Sequence, residues 1–314
     1  MLNRKSITLI LSLAAVLNLN ALTPGKPRAP YIGAVIMDAQ SGEILFEERA
    51  DAPGSPASTL KLMTLLLVQE RISAGKIGLD DMVDVSVEAY KTGGSQVYLD
   101  PKEKIPVEDM LYALMIQSAN DAAVALAEHV AGTKEDFIEL MNDKARELGM
   151  KNTRFSTVNG LRPDPGKPYN VTTARDMALL AHELCRYPEV YRYTSAVYRQ
   201  FNSPIRKHPF DMRTHNPFLK KKVEGCDGFK TGYTSTAGWS IVVTCKRNGR
   251  RLNIVVLSSD ARLTRDAAAE KLLNKGFAMI SSGGNEKGSG STKKNGAAAA
   301  KRSVPKPPPP LRLK

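Results

Sequence analysis

The chain has 314 residues, of which 42% are apolar, so it is long enough to bury one substantial core. A formal net charge of +13 would suit a nucleic-acid-binding protein only if that charge covered a folded surface. The excess instead lies mainly at the C-terminal end: residues 281–314 hold eight Lys or Arg against the single Glu286, which leaves +7 there. The remaining body is only mildly basic, and we expect no nucleic-acid partner.

The first 21 residues are typical of an export signal. Arg4 and Lys5 precede an apolar stretch, residues 7–17, which is shorter than the roughly 20 residues that span a bilayer. We therefore expect cleavage at Ala21 and an exported protein, with an uncleaved membrane anchor as the alternative.

Two strands are predicted near the start of the exported chain, after a Pro-containing lead segment at residues 22–30. The first is predicted at 31–39 and the second, where apolar residues alternate, at 43–48, with Ser41 and Gly42 as the turn between them.

The middle of the chain is predicted to be helical, because apolar residues recur there at helical spacing. One helix begins at Ser58, and two more cover residues 106–130 and 134–148. Thr173 and Asp176 resemble a capping box, which predicts a further helix through Cys185.

Strands return in the last third of the chain. Residues 240–246 and 252–258 flank Asn248-Gly249, a strong hairpin signal, and a last helix is predicted at about 265–280. Strands at both ends with a helical middle predict an α+β fold: an antiparallel sheet of about five strands built from both termini, with helices on both faces. Beyond residue 280 the composition becomes that of a disordered, basic, Pro-rich tail.

Three cysteines, Cys185, Cys226 and Cys245, are too few for a disulfide framework. Cys226 and Cys245 could face each other across a hairpin, but small buried thiols need no bond. We therefore favour free thiols.

Three short patterns could carry chemistry, although each is weak alone. They are Ser58-Thr59-Leu60-Lys61, Ser118-Ala119-Asn120 and Lys230-Thr231-Gly232. A second Lys-Thr-Gly, at Lys91, runs into a pair of glycines and is interpreted as a loop. No Gly-x-Ser-x-Gly supports a Ser-His-Asp hydrolase, and no His or Cys pair has metal spacing, so we expect neither metal nor cofactor.

The first pattern places a serine and a lysine on one helical face. A serine nucleophile needs a base within hydrogen-bond reach, and a lysine whose pKa is lowered by burial can supply it. Free backbone N–H groups at a helix start can also stabilise an oxyanion. The alternative is an ordinary helix cap, Ser58, followed by a surface charge, Lys61.

The other two patterns offer polar groups that could face the same cleft. Ser118 could shuttle a proton and Asn120 could hold a substrate carbonyl, although both are also common helix caps. Lys230 and Thr231 could bind a carboxylate, while Gly232 permits a close backbone approach on an edge strand.

The order of these patterns resembles that of low-molecular-weight penicillin-binding proteins, the D-alanyl-D-alanine carboxypeptidases. The resemblance covers about residues 31–280. It rests chiefly on residues 56–64, 117–122 and 227–234, and also on shorter matches at 141–142, 148–150, 160–161 and 173–177.

The resemblance implies a role for each motif residue. Ser58 would be the nucleophile that the penultimate D-alanine acylates, and Lys61 its general base. Ser118 would relay protons, and Asn120 would position the acyl chain. β-Lactams, which mimic the D-alanyl-D-alanine end, would acylate the same serine.

The family pattern also implies how the substrate is held. Lys230 and Thr231, on the strand with Gly232, would bind the terminal carboxylate, assisted by Arg265. The backbone N–H groups of Ser58 and Tyr233 would form the oxyanion hole.

The resemblance leaves two alternatives open: a D,D-endopeptidase that cuts peptidoglycan cross-links, and a non-catalytic wall-binding protein on the same fold. The one Glu-x-x-Leu-Asn segment, residues 270–274, falls inside the predicted last helix and after the third motif, so β-lactam turnover should be slow. We expect residues 31–280 to form the catalytic domain, acting on peptidoglycan stem peptides in the periplasm or cell envelope.

The tail would bind anionic wall polymer or a membrane surface, or have no specific partner.

Overall fold

The computed structural model describes residues 23–283. The predicted export signal and tail residues 284–314 lie outside the described residues. The strands are β1 (Gly33–Asp38), β2 (Ile44–Glu48), β3 (Met82–Asp84), β4 (Lys104–Pro106), β5 (Tyr198–Phe201), β6 (Phe210–Arg213), β7 (Cys226–Thr234), β8 (Gly238–Arg247) and β9 (Arg250–Ser259). The helices are α1 (Lys61–Ser73), α2 (Val87–Lys91), α3 (Val107–Tyr112), α4 (Asn120–Ala131), α5 (Lys134–Glu147), α6 (Ala174–Leu184), α7 (Tyr191–Thr194), α8 (Pro217–Lys220) and α9 (Arg262–Gly283).

The central sheet has five antiparallel strands in the order β2-β1-β9-β8-β7. Two strands come from the N-terminal part of the chain and three from the C-terminal part, so the predicted sheet built from both termini is confirmed. β7 lies at one edge of this sheet, and its outer side is therefore free to pair with an extended peptide.

Helices cover both faces of the sheet, which explains why the six residues of β1 are all buried. Val35 and Met37 face the larger core, which includes residues of α1, α4 and α6. Ala34 and Ile36 face the smaller core, which α9 completes. The alternation follows from the two-residue period of a strand.

The helix predicted over residues 106–130 is wrong in one respect, because it is interrupted in the middle. After α3, a π-helical turn covers Ala113–Gln117, and Ser118 then takes a left-handed conformation with φ 61°. The chain re-enters a helix, α4, at Asn120. Apolar residues on both sides of the break are buried, so the helical period runs through it without a visible signal.

Other departures from the predicted elements are smaller. The helix predicted from Ser58 begins as a 3-10 turn, Ala57–Leu60, and the last helix extends beyond residues 265–280 at both ends. The patterns also miss two short hairpins, β3–β4 and β5–β6, whose strands of three or four residues are too short to show a period. No helix within residues 23–283 is long and apolar enough to cross a membrane.

The expectation of free thiols at Cys226 and Cys245 is wrong, because the structure joins them in a disulfide. The β7–β8 register makes them direct cross-strand partners with a Cα–Cα distance of 4.0 Å. Cys185 remains a free thiol.

Candidate active site

Ser58 lies in the 3-10 turn that leads into α1, at the point where the helix meets the edge strand β7. The turn is wedged between two glycines. A Cβ at Gly160 would lie 2.2 Å from the carbonyl oxygen of Ala57, and a Cβ at Gly232 would lie 3.1 Å from the nitrogen of Ser58. These approaches allow glycine only, and they bring the backbone N–H of Ser58 beside β7.

Lys61 is completely buried at the start of α1, and three neutral groups surround its ammonium. Its Nζ donates to Ser58 Oγ at 2.9 Å, to Asn120 Oδ1 at 2.8 Å and to the backbone oxygen of Asn159 at 2.7 Å. Burial, together with the nearby charge of Lys230, holds the pKa of Lys61 well below its usual range. A lysine with a lowered pKa can act as a base toward the serine hydroxyl.

The break in the long helix places Asn120 next to this lysine. Asn120 accepts from Lys61 and donates through Nδ2 to the backbone oxygen of Gly93 at 2.8 Å, while its backbone N–H donates to Ser95 at 2.7 Å. Ser118, two residues earlier, is buried in its left-handed conformation. In the second Lys-Thr-Gly, Lys91 is the last residue of α2, and the predicted loop begins at Thr92; the backbone of Gly93 in this loop supports the site.

Lys230 is buried within β7, and its Nζ donates to the backbone oxygen of Thr231 at 3.1 Å. Burial and the charge of Arg265 lower the pKa of Lys230 to about 7. Thr231 is also buried. Among residues 23–283 no carboxylate forms an ion pair with Lys230, so this lysine is available to bind an anionic ligand at the sheet edge.

Tyr233 and Arg265 are arranged differently from the other predicted site residues. Tyr233 is 50% exposed, and its ring stacks on Trp239. Arg265 is 2% exposed and donates through Nε to Asp266 at 2.8 Å and through Nη1 to the backbone oxygen of Ser240 at 3.3 Å. Burial lowers the pKa of Arg265. Its charge reaches the site, although several of its donors are already occupied.

Three contributors to the site escape the sequence motifs. Asn159 acts through a backbone oxygen, which no side-chain pattern reveals. Asp121 is fully buried and accepts from the backbone N–H groups of Val97 and Leu99, and thereby fixes the loop before it. Burial raises the pKa of Asp121, although these hydrogen bonds act to lower it. An acidic residue inside an apolar helical run is the signal that could have identified it.

His215 is the third residue that the motifs miss. It remains exposed to solvent on one side, but the surrounding protein and the charges of Lys230, Lys220 and Lys61 lower its pKa to about 4. Its imidazole is therefore neutral at physiological pH and adds no positive charge near the two site lysines.

Comparison with curated proteins places this arrangement among known enzymes. Residues 23–261 match the sequence profile of the D-alanyl-D-alanine carboxypeptidase family. D-alanyl-D-alanine carboxypeptidase DacC of Escherichia coli (strain K12) is 39% identical over 264 residues, which are 81% of this chain and 64% of that protein. The chain thus spans slightly less than two thirds of this relative. A D-alanyl-D-alanine endopeptidase of Pseudomonas aeruginosa is 29% identical over 273 residues, which are 85% of each chain.

Solved structures confirm the predicted fold. Penicillin-binding protein 5 from Haemophilus influenzae superposes with a TM-score of 0.72 and 35% identity, covering 82% of this chain and 72% of that one. Penicillin-binding protein D2 from Listeria monocytogenes, in its ampicillin-bound form, superposes with a TM-score of 0.69 and 31% identity, covering 81% of this chain and 100% of that one. The chain therefore belongs to the D-alanyl-D-alanine carboxypeptidase family of penicillin-binding proteins.

Proposed function

We propose that this protein is a serine D-alanyl-D-alanine carboxypeptidase that removes the terminal D-alanine of peptidoglycan stem peptides. The observation that carries the proposal is the contact of 2.9 Å between Ser58 Oγ and the Nζ of Lys61, a buried lysine whose partners are neutral. A serine and a lysine in this relation can form an acyl-enzyme without a histidine.

In the proposed acylation, neutral Lys61 takes the proton of Ser58 Oγ as that oxygen attacks the penultimate D-alanine carbonyl carbon. The backbone N–H groups of Ser58 and Tyr233 stabilise the resulting oxyanion. When the peptide bond breaks, Ser118 relays the proton to the amine of the leaving D-alanine. A water molecule then attacks the ester, regenerates Ser58 and releases the shortened peptide.

In the proposed substrate complex, the peptide lies along the free edge of β7. Gly232 lets the Ser58 turn lie close beside that edge, and Lys230 and Thr231 bind the terminal carboxylate, assisted by the charge of Arg265. Asn120 positions the acyl chain. This assignment requires Lys230 to be protonated while Lys61 is neutral.

β-Lactams would acylate Ser58 because their carboxylate and strained amide imitate the end of the peptide. The ampicillin-bound form of the Listeria relative supports this proposal. The one Glu-x-x-Leu-Asn segment of the sequence, residues 270–274, lies in α9 on the face of the sheet away from Ser58, and its Glu270 pairs with Lys221. It is therefore not placed to position a deacylating water, and the acyl-enzyme should persist.

A second candidate is a D,D-endopeptidase that cuts cross-links between stem peptides. The Pseudomonas endopeptidase favours this candidate, because the match between the two proteins covers 85% of each chain. The two activities share the acylation chemistry and differ in the leaving group, which is free D-alanine in one and a second stem peptide in the other.

The proposal is tested by incubating the full chain with a pentapeptide and, separately, with cross-linked muropeptide dimers, and weighing the products. Loss of one D-alanine from the pentapeptide supports the carboxypeptidase, and cleavage of dimers alone replaces it with the endopeptidase. If neither product forms, and the Ser58→Ala variant binds peptidoglycan as well as the parent does, the non-catalytic wall-binding alternative replaces both.

We also propose a setting for this activity. Residues 1–21 direct export to the periplasm or cell envelope, residues 31–280 form the catalytic domain, and residues 281–314 bind an anionic wall polymer or membrane surface. The segment's +7 charge supports the last point. Salt-sensitive sedimentation with anionic vesicles or purified walls, lost on deletion of residues 284–314, would support it; equal sedimentation of both chains would contradict it.

A further inference from the structure

Trp239 is the single tryptophan of the chain, and it lies between an aromatic ring and a cation. The ring of Tyr233 stacks on it with a centroid distance of 3.9 Å and an interplanar angle of 23°. The guanidinium carbon of Arg265 lies 5.7 Å from the centroid of its ring. Tyr233 and Trp239 are also direct cross-strand partners in the β7–β8 register. The three side chains form one continuous column.

The column lies on the far face of the sheet edge that carries the site. Gly232 faces the Ser58 turn, as the 3.1 Å approach to the nitrogen of Ser58 requires. Successive residues of a strand point to opposite faces, so Tyr233 points to the α9 side, where Trp239 and Arg265 also lie. Arg265 must therefore act on the carboxylate subsite from behind β7.

The remaining contacts of Arg265 hold its position but do not connect it to β7. Asp266, its neighbour in α9, accepts from Nε at 2.8 Å and from Nη2 at 2.5 Å, and the backbone oxygen of Ser240 in β8 accepts from Nη1 at 3.3 Å. Within residues 23–283, the contact that reaches β7 from this guanidinium passes through the indole of Trp239 and the ring of Tyr233.

We propose that Trp239 is a positioning residue, which fixes the Arg265 guanidinium relative to the β7 edge so that its charge reaches the carboxylate bound at Lys230 and Thr231. This inference rests on the proposed function, because it assigns a residue to the recognition of the same substrate end. Trp239 itself touches no reacting atom. Its loss should weaken the preference for ligands that carry the carboxylate and leave the acylation machinery of Ser58 and Lys61 in place.

The test compares acylation of the full chain by benzylpenicillin and by its methyl ester, which lacks the carboxylate. In the unmodified protein the acid should react faster than the ester. Trp239→Leu removes the contacts of the indole with Tyr233 and Arg265. In this variant the acid should react about tenfold more slowly, while the rate with the ester should change less than twofold. Trp239→Phe keeps an aromatic face and should restore most of the preference.

Tyr198→Leu is the matched control, because Tyr198 stacks under Arg213 at 4.9 Å on the separate β5–β6 hairpin. It should leave both rates unchanged. If Trp239→Leu lowers the acylation rates with the acid and with the ester equally, Trp239 only supports the fold and the inference is overturned. Unchanged rates with both compounds would also overturn it. If the unmodified protein reacts with neither compound, the proposed function itself fails, and the inference fails with it.

Discussion

Two buried lysines, one within α1 and one that contacts α1 from α5, have partners of different charge. Lys61 opens α1 and contacts a hydroxyl, an amide oxygen and a backbone oxygen. Lys144, on α5, is 3% exposed and forms ion pairs with Glu70 at 2.9 Å and Glu147 at 2.7 Å. Glu70 follows Lys61 by nine residues, or about 13 Å along α1.

The pKa values of the two lysines are shifted in opposite directions from the usual value of a lysine. Burial lowers the pKa of Lys61 well below its usual range, and the charge of Lys230 lowers it further. Burial alone would also lower the pKa of Lys144, but the hydrogen bonds and charges of Glu147 and Glu70 raise it. Burial therefore does not distinguish the proposed base, Lys61, from the ion-paired Lys144; the charge of the partners does.

The largest effect is expected from Lys61→Met, which removes the proposed base. Acylation by a fluorescent penicillin should fall by about 10³-fold or more. The free energy of unfolding should change by only about 1 kcal/mol, because relief of lysine burial offsets the lost hydrogen bonds to Asn120 and Asn159. Acylation assays quenched at timed intervals measure the acylation rate, and urea unfolding measures the free energy of unfolding. Acylation within tenfold of the parent protein would exclude Lys61 as the base.

Lys144→Met should show the reverse pattern and is the matched control. It leaves the partly buried carboxylate of Glu70 without its partner, which should cost about 3 kcal/mol of unfolding free energy. The acylation rate of the folded molecules should stay within about twofold of the parent. A normal unfolding midpoint, or a large loss of acylation, would remove the distinction between the two lysines.

Asn120→Asp would give Lys61 the kind of partner that Lys144 has. A carboxylate 2.8 Å from Nζ should raise the pKa of Lys61, so the acid limb of the acylation profile should move to higher pH. The rate near pH 7 should fall by about ten- to a hundredfold. Glu70→Gln, which changes the partner of Lys144, should leave the profile in place. An unshifted acid limb in Asn120→Asp would contradict the account.

Near neutral pH, the smallest effect is expected in the pH profile of the unmodified protein. Lys230 must keep its proton to bind the carboxylate, and its pKa is lowered to about 7, so kcat/KM should fall above that pH by about tenfold per unit. Lys230→Arg, which stays charged, should remove this alkaline limb. A profile that is flat to pH 9 in the unmodified protein would show that Lys230 does not bind as a cation.

Much of the site could be predicted because its residues are close together in the sequence. Ser58 and Lys61 are three residues apart, and the members of the other two motifs are adjacent or nearly so. The five-stranded sheet also follows from strand patterns at both ends of the chain.

The parts that could not be predicted depend on distant backbone contacts. Lys61 reaches the backbone oxygen of Asn159, 98 residues away, and the helix break before Asn120 interrupts an apolar period that continues through it. The disulfide of Cys226 and Cys245 depends on strand register, which the sequence does not determine to one residue.

The most direct test of the central claim is the intact mass of the full chain after reaction with benzylpenicillin, followed by peptide mapping. The parent protein should gain the mass of one penicillin on Ser58, and Ser58→Ala and Lys61→Met should gain none in the same time. An adduct that persists in Ser58→Ala, or a parent protein that gains no mass, would contradict it.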